Sequence, residues 1–563
     1  MSISVRSETF SSAMPGKPRR DRFGLAIIVL VAIALMSPEL VLGLTVTDNF
    51  RFNMLWPEQF GALMRGGHLY PRWLPQAWEG LGTPAFYFYP PIFFWATGIF
   101  DTLTAGALSS ERFVPFASLL LMLVSGLGMR AWLRTKVEER TALFGAVVFM
   151  AAPYHLYDIY CRGALAEATA YASVPFVMLA LARVAEGRAR WVPVLALSYG
   201  ALLMSHLPTA LLVSLLLIPP YVAWTVRSVA RPARFLGLAL AGGAIGIGIA
   251  AAYLIPALTL LPYVNPGSLT RAFYRPENWF FWTFPAGPMG ARMMFIIPVA
   301  VGAALVAIGT CLGTRKEKEA LFWAGLTIVL VALIAGLVPP FWRLPGLVMV
   351  QFPWRGLLLV EFTTITMLAV TTPSLRNPIV LAGAVTISFA YAVLAMMAGH
   401  TIWRTWAGQA DNARFIRASY LDAPEYLPAG VRIKEGAGPD DVEVKLAVVP
   451  LARASDRRAM VSASEAIDGS MTLTIDGPAP TVIAVRRYYF PNWRVSAADG
   501  TTFPVVPEPR EHIATFRAPA GKSVLRLEPG SAPNEILART VSLVALALTA
   551  LWAFVARRKA AAA

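Results

Sequence analysis

The chain has 563 residues, 56% hydrophobic and only 15% charged, where an average soluble protein carries about a quarter charged residues. Its 49 Lys and Arg outnumber 33 Asp and Glu, giving +16, yet the bases fall in short tracts between apolar runs. That is the pattern of a membrane protein's cytoplasmic loops and argues against a nucleic-acid partner. The two cysteines, Cys161 and Cys311, argue against a disulfide framework.

In chain order, the bases Lys17, Arg19, Arg20 and Arg22 precede an apolar run at 24–44. It is long and ends without a small-x-small cleavage site, which predicts an uncleaved first helix entered from a cytoplasmic tail, 1–23. Further runs able to cross about 30 Å of hydrocarbon, two of them short, lie near 113–133, 141–154, 168–184, 191–206, 208–226, 235–261, 293–313, 321–339, 354–371, 378–398 and 537–556. Basic tracts such as Arg134 to Arg140, Arg227 to Arg234 and Arg315-Lys-Glu-Lys318 alternate with longer aromatic, Pro-rich ones. Alternation puts every basic tract, and both termini, on the cytoplasmic side of a bacterial inner membrane.

The segment 90–108 is apolar enough to pass for a span, but a crossing there would turn every later basic loop outward. It is predicted as a helix at the outer interface, suited to Pro90-Pro91 and Phe93-Phe94-Trp95; an extra span with a missed partner is the alternative. The expected fold is a polytopic α-helical membrane protein of about 12 transmembrane helices, its membrane domain at 24–398 with a long outer loop at 45–112. Over 399–535 the pattern changes to short alternating runs, Met471-Thr-Leu-Thr-Ile475 and Thr481-Val-Ile-Ala-Val485. Asp468-Gly469, Asp476-Gly477 and Asp499-Gly500 are turn signals between them, predicting a periplasmic β-rich sandwich tethered by a last helix and basic tail, 536–563.

Three polar clusters fall on the outer side by this count. In the first loop, Thr47-Asp48-Asn49-Phe50-Arg51 precedes Gly67-His68-Leu69-Tyr70-Pro71-Arg72-Trp73 and Phe86-Tyr87-Phe88-Tyr89-Pro90-Pro91. A carboxylate held beside hydrocarbon is costly unless used or paired, which makes Asp48 the first candidate for a base; capping the next helix or pairing with Arg51 is the plainer alternative. The second cluster, Tyr154 to Glu167, holds His155, Asp158, Arg162 and Glu167, and the third is His206 with Pro208. Arg275 and Arg355, each among aromatic residues, offer the planar fork that matches phosphate oxygens, and serve equally as interfacial anchors. The chain has no G-x-x-x-x-G-K-[ST], H-E-x-x-H or C-x-x-C motif, and its five histidines are scattered, so ATP hydrolysis and thiolate zinc are set aside. A divalent metal ion held by Asp48 and other acids stays open.

The order of these motifs, with Arg162-Gly-Ala-Leu-Ala-Glu167, Ser205-His206-Leu-Pro208, Gln351-Phe-Pro-Trp-Arg355, Glu425-Tyr-Leu-Pro428 and Tyr489-Phe-Pro-Asn-Trp493, resembles the bacterial membrane proteins labelled "6-pyruvoyl-tetrahydropterin synthase-related". Those in turn resemble the C-type (GT-C) glycosyltransferase superfamily, over residues 40–500 or so of this chain. Pterin synthesis does not fit, because nothing here reproduces that synthase's clustered histidines. The GT-C resemblance implies an inverting glycosyltransferase: a polyprenyl-phosphate-linked sugar as donor, an extracytoplasmic glycan, lipid or protein as acceptor, and Asp48 as general base. Arg162, Arg275 and Arg355 would face the lipid phosphate, and Arg51, His68, Tyr89, His155, Asp158, Glu167 and His206 would line the substrate site. Asn49 stands where the superfamily often has a second acid, which weakens any metal role. A lipid-linked glycan transporter, with Glu361 inside the tenth run as its mark, and a non-catalytic assembly factor are the alternative readings.

Overall fold

A computed structural model describes residues 18–314, 317–371, 377–418, 422–431 and 450–561. Most of the expected N-terminal tail, Arg315 and Lys316, and 419–421 lie outside the described residues. Eleven of the described helices are long and apolar enough to cross a membrane, from Arg22–Leu42 to Glu535–Arg558. The twelfth expected run, 191–206, is a shorter apolar helix, Ala189–Leu203. The ambiguous segment at 90–108 folds as the 12-residue helix Ile92–Leu103, about 18 Å long and too short to span. The chain is a multi-pass membrane protein.

Small residues set the tightest crossings. A β-carbon on Gly200 would lie 3.0 Å from the Gly246 carbonyl oxygen, and one on Gly246 would lie 2.9 Å from that of Ala196. Gly302 and Gly383 stand against one another in the same way, joining Met293–Gly313 to Pro378–Ala418. In hydrocarbon, where apolar burial does not drive helices together, such close backbone approach supplies the packing energy. The helix Pro378–Ala418 has 41 residues and runs about 60 Å, so it continues beyond any bilayer, past the apolar stretch that hydropathy ended near 398.

One expected boundary is corrected. The run at 141–154 does not give way to a loop holding His155, Asp158 and Arg162; after Glu139–Met150 the chain re-enters helix at Pro153–Tyr157 and ends in a wide turn, Asp158–Arg162. Pro153 is tolerated because a first-turn N–H has no helical partner to lose. The polar residues of this cluster are therefore buried side chains of a helical segment.

The β-domain has a four-stranded sheet, in the order Ala452–Ala454, Thr481–Tyr488, Ile513–Ala518, Val506–Pro507. The five-stranded sheet runs Met460–Glu465, Met471–Gly477, Gly521–Pro529, Trp493–Ala497, Thr502–Phe503. All neighbours are antiparallel. Leu473, Ile475, Val495 and Leu527 of one sheet and Ile483, Val485 and Phe516 of the other are buried in one core, the sandwich that their alternation predicts. Asp468-Gly469 and Asp499-Gly500 do make turns, with glycine φ of 81° and 87°. Asp476-Gly477 does not: Gly477 pairs with Gly521 within the ladder, and the chain leaves the sheet at Pro478-Ala-Pro480, where proline cannot donate to it. The same core takes in Trp56, Phe86 and Phe94, so the β-domain and the first loop are packed as one body.

Candidate functional site

The first loop is threaded through backbone bonds that fix Asp48. Leu44 N donates to Glu111 O at 2.8 Å and Val46 N to Thr405 Oγ1 at 2.6 Å. Asn49 then donates twice to the Arg162 carbonyl oxygen, from its amide N at 3.2 Å and its Nδ2 at 3.0 Å, and Asn53 Nδ2 donates to Gly163 O at 2.7 Å. Asp48 is thereby joined to the wide turn at Asp158–Arg162 while its side chain stays 44% exposed, at the mouth of the site. Its carboxylate accepts a hydrogen bond from Arg292, the residue just before the helix Met293–Gly313.

Behind this mouth lies a buried ionic network. Arg162 Nη1 donates to Asp158 Oδ1 at 2.5 Å, to the Tyr154 hydroxyl at 2.8 Å and to Glu167 Oε2 at 2.9 Å. Tyr154 OH donates on to Glu167 Oε1 at 2.7 Å. Arg355 Nε reaches the same Glu167 Oε2 at 3.2 Å, and its Nη1 donates to Val350 O and Gln351 Oε1 at 2.7 and 3.1 Å. Charges this far from water persist only when each is met by a partner of opposite sign and by hydrogen bonds. Here one carboxylate, Glu167, joins two guanidinium groups.

Two further expected residues face this network. His206 receives or gives a bond at Nδ1 with Thr209 Oγ1, 2.8 Å apart, and burial pushes its imidazole down to about 3, against the opposing pull of Glu167, so it is neutral at physiological pH. Tyr89 lies with its ring 4.8 Å from Trp56, and burial drives its phenol up to about 12 although Arg355 draws it the other way, which keeps the hydroxyl a donor.

The remaining candidates stand elsewhere. His155 is buried, stacked on Tyr171 with ring centroids 3.9 Å apart and with Nδ1 3.3 Å from Phe149 O. His68 is exposed and faces Asp468 of the β-domain at 3.9 Å. Arg275 is exposed on its loop, while Arg51 is half-buried near Asp422. Arg292 was missed; its one signal is a base set directly before an apolar run. Asp422 was missed as well, and it is held by Trp56 Nε1 at 2.8 Å.

No group of three or more His, Cys, Asp or Glu converges among the described residues. Asp48 is met by a guanidinium, and Asp158 and Glu167 are engaged by Arg162.

Fold and site together define a multi-pass membrane protein with a polar, arginine-rich site at one end of its bundle and a β-sandwich ahead of the last helix. In three dimensions it is similar to the mycobacterial arabinofuranosyltransferase AftD, with a TM-score of 0.42 and 16% identity over 69% of this chain and 27% of that one. A variant of the same protein matches with a TM-score of 0.41 and 17% identity over 68% and 28%. The chain thus spans little more than a quarter of the length of those structures. No family model and no curated protein matches it, so the synthase-related label has no support beyond the motifs.

Proposed function

We propose that the chain is an inverting membrane glycosyltransferase that moves a sugar from a polyprenyl-phosphate donor to an extracytoplasmic acceptor, in a bacterial inner membrane with both termini cytoplasmic. The observation that carries this reading is the pair of hydrogen bonds from Asn49 to Arg162 O, which sets an accessible carboxylate, Asp48, beside a fixed arginine and acid network. In the reaction the acceptor oxygen forms a bond to the anomeric carbon and gives its proton to Asp48. The bond from that carbon to the phosphate oxygen breaks, and the polyprenyl phosphate leaves with the electron pair.

The arginine roles change from those the motifs implied. Arg162 is neutralised by two carboxylates and serves to hold Glu167 and the turn. Arg292, at the N-terminal end of a transmembrane helix where the dipole also favours an anion, is the better phosphate ligand, with Arg355 second. A phosphate that takes Arg292 releases Asp48 to act as base.

The test is sugar transfer by purified protein in nanodiscs from a panel of radiolabelled polyprenyl-phosphate sugars, wild type beside Asp48→Asn. Loss of the base is expected to lower turnover by about 10²- to 10⁴-fold with the thermal midpoint retained. Full activity in Asp48→Asn overturns the assignment of the base. Loss of function in Glu361→Gln but not in Asp48→Asn turns the reading to transport.

A further inference from the structure

We propose that the cleft between the first loop and the β-domain is a binding site for a neutral oligosaccharide, a subsite for the body of an acceptor glycan apart from the reacting centre. The choice of ligand rests on the glycosyltransferase reading; the place of the site rests on the cleft itself. It is an open surface cleft with a volume of about 500 Å³. One wall is Gln76, Glu79 and Gly80, the other is Glu465 and Ile467 of the hairpin, and Arg486 closes it.

The loop wall is built in an unusual backbone. Trp78 (φ 52°, ψ 48°) and Glu79 (φ 54°, ψ 37°) are both left-handed, and Gly80 follows at φ 91°. Side chains with a β-carbon rarely adopt that region, and two in succession persist only where the surroundings enforce them. Three contacts do so: the Trp78 side chain is wholly buried, Arg487 donates to Gly80 O, and Tyr488 N donates to Leu81 O at 2.8 Å. The consequence is that Trp78 points into the core while the Glu79 side chain is exposed at the cleft.

Arg486 supplies the other half of the argument. Its neighbour Arg487 is spent on Glu465, Gly80 O and Gly469 O. Arg486 Nε, in contrast, is buried without a hydrogen bond among the described residues. Glycine at position 80 leaves it room, for a β-carbon there would come within 3.3 Å of Arg486 Nη2. The cleft is lined by the Arg486 guanidinium and the Gln76 amide as donors, by the exposed Glu79 carboxylate and the Arg487-paired Glu465 as acceptors, and by an apolar surface in Ile467, which is 62% exposed. A sugar ring matches that set: neighbouring hydroxyls donate to a carboxylate and accept from Arg or Gln, and the C–H face packs on the apolar side chain. The acids Glu79 and Glu465 are balanced by Arg486 and Arg487, and a site without net charge suits a neutral ligand better than a phosphate or nucleotide.

Saturation-transfer NMR on the full chain in nanodiscs, with a panel of neutral and acidic hexose and pentose oligosaccharides, tests this for wild type, Arg486→Ala, Glu79→Gln and Asp48→Asn. At least one neutral oligosaccharide is expected to bind wild type and Asp48→Asn alike, and about tenfold or more weakly to each of the two cleft variants. Absence of binding by wild type, preference for the acidic members, or equal binding by Arg486→Ala and Glu79→Gln overturns the proposal. Transfer assays on the same samples separate the two readings. Binding that depends on Arg486 beside transfer unaffected by Asp48→Asn keeps the cleft and removes the base, whereas transfer lost in Asp48→Asn beside binding indifferent to Arg486 does the reverse.

Discussion

Asp422 illustrates what burial does to a single acid here. Its Oδ1 accepts from Trp56 Nε1 at 2.8 Å and from Ala423 N at 2.7 Å, while Oδ2 has no partner among the described residues. Burial raises its pKa from 3.8 to about 7, and the two bonds to Oδ1 recover only part of the shift. A carboxyl whose folded pKa is raised contributes stability that is complete below its unfolded value and is lost as pH rises through the folded one. Asp422 therefore weakens the docking of its segment progressively between about pH 4 and pH 7. Asp422→Asn keeps the Oδ1 acceptor and removes the ionisation, so its thermal midpoint in detergent is expected to fall less than that of wild type across this window. Identical pH profiles would show that Asp422 is not the titrating group. Residues of this kind were hidden from the sequence, because Trp56 and Asp422 meet across the chain with no shared period. Arg162 and Glu167 were legible for the opposite reason: they lie five positions apart in one polar stretch, on either side of the break at Gly163, so proximity in sequence groups them. Arg292 meets Asp48 across 244 positions, and nothing local marks the pair.

At the scale of elements, the site depends on how one turn is made. The wide turn Asp158–Arg162 ends at Gly163, left-handed at φ 61°, and a β-carbon there would come within 2.0 Å of Thr47 Oγ1 and 2.9 Å of Asn53 Nδ2. Both the conformation and the close approach of the first loop require glycine. Gly163→Ala is expected to push residues 47–53 from the turn and to break the bonds of Asn49 to Arg162 O, so transfer falls by tenfold or more even where the protein still folds. Turnover measured beside a thermal midpoint checks this, and wild-type activity in a stable Gly163→Ala protein would mean that the turn does not position Asp48. Hydropathy found the helices long enough to span because crossing hydrocarbon demands a long apolar run, while charge parity set 90–108 apart from them; it did not mark the amphipathic helix Phe50–Arg65 inside the first loop. It misread the end of the run at 141–154, since a helix that carries Tyr154, Asp158 and Arg162 inside a protein core has the composition of a loop. In the sandwich, alternation revealed strands and Asp-Gly marked two of three turns; the third failed because the prolines at 478 and 480 fix the sheet exit instead.

At the scale of the whole molecule, the last helix is tied to the first loop by Glu535. This residue is 1% exposed in the first turn of Glu535–Ala561, and Tyr87 OH donates to its Oε2 at 3.1 Å while Arg72 Nε lies 3.6 Å from Oε1. Arg72 also donates to Phe86 O at 3.0 Å and to Ala252 O at 2.6 Å and sits 3.5 Å over the Tyr70 ring, so one guanidinium gathers the loop, the helix Pro232–Thr259 and the last helix. The outward face of that last helix is largely apolar and exposed, fit for lipid, so its register is set by polar contacts on the inner face: this junction, Ser542 Oγ donating to Ile249 O at 2.8 Å, and Trp552 Nε1 donating to Ala189 O at 2.9 Å. Glu535 also accepts from Arg539 Nη2, which is half exposed, so Arg72 is the partner that loses its buried counter-charge when Glu535 is removed. Breaking a buried pair from one side costs up to about 3–5 kcal/mol, whereas replacing both members by apolar groups of similar volume is far milder. Glu535→Ala is accordingly expected to lower the thermal midpoint sharply and Glu535→Leu with Arg72→Met to recover much of the loss. A double variant no better than the singles would mean that Arg72 acts through its backbone acceptors and ring contact alone, and that the last helix is held by packing against its neighbours.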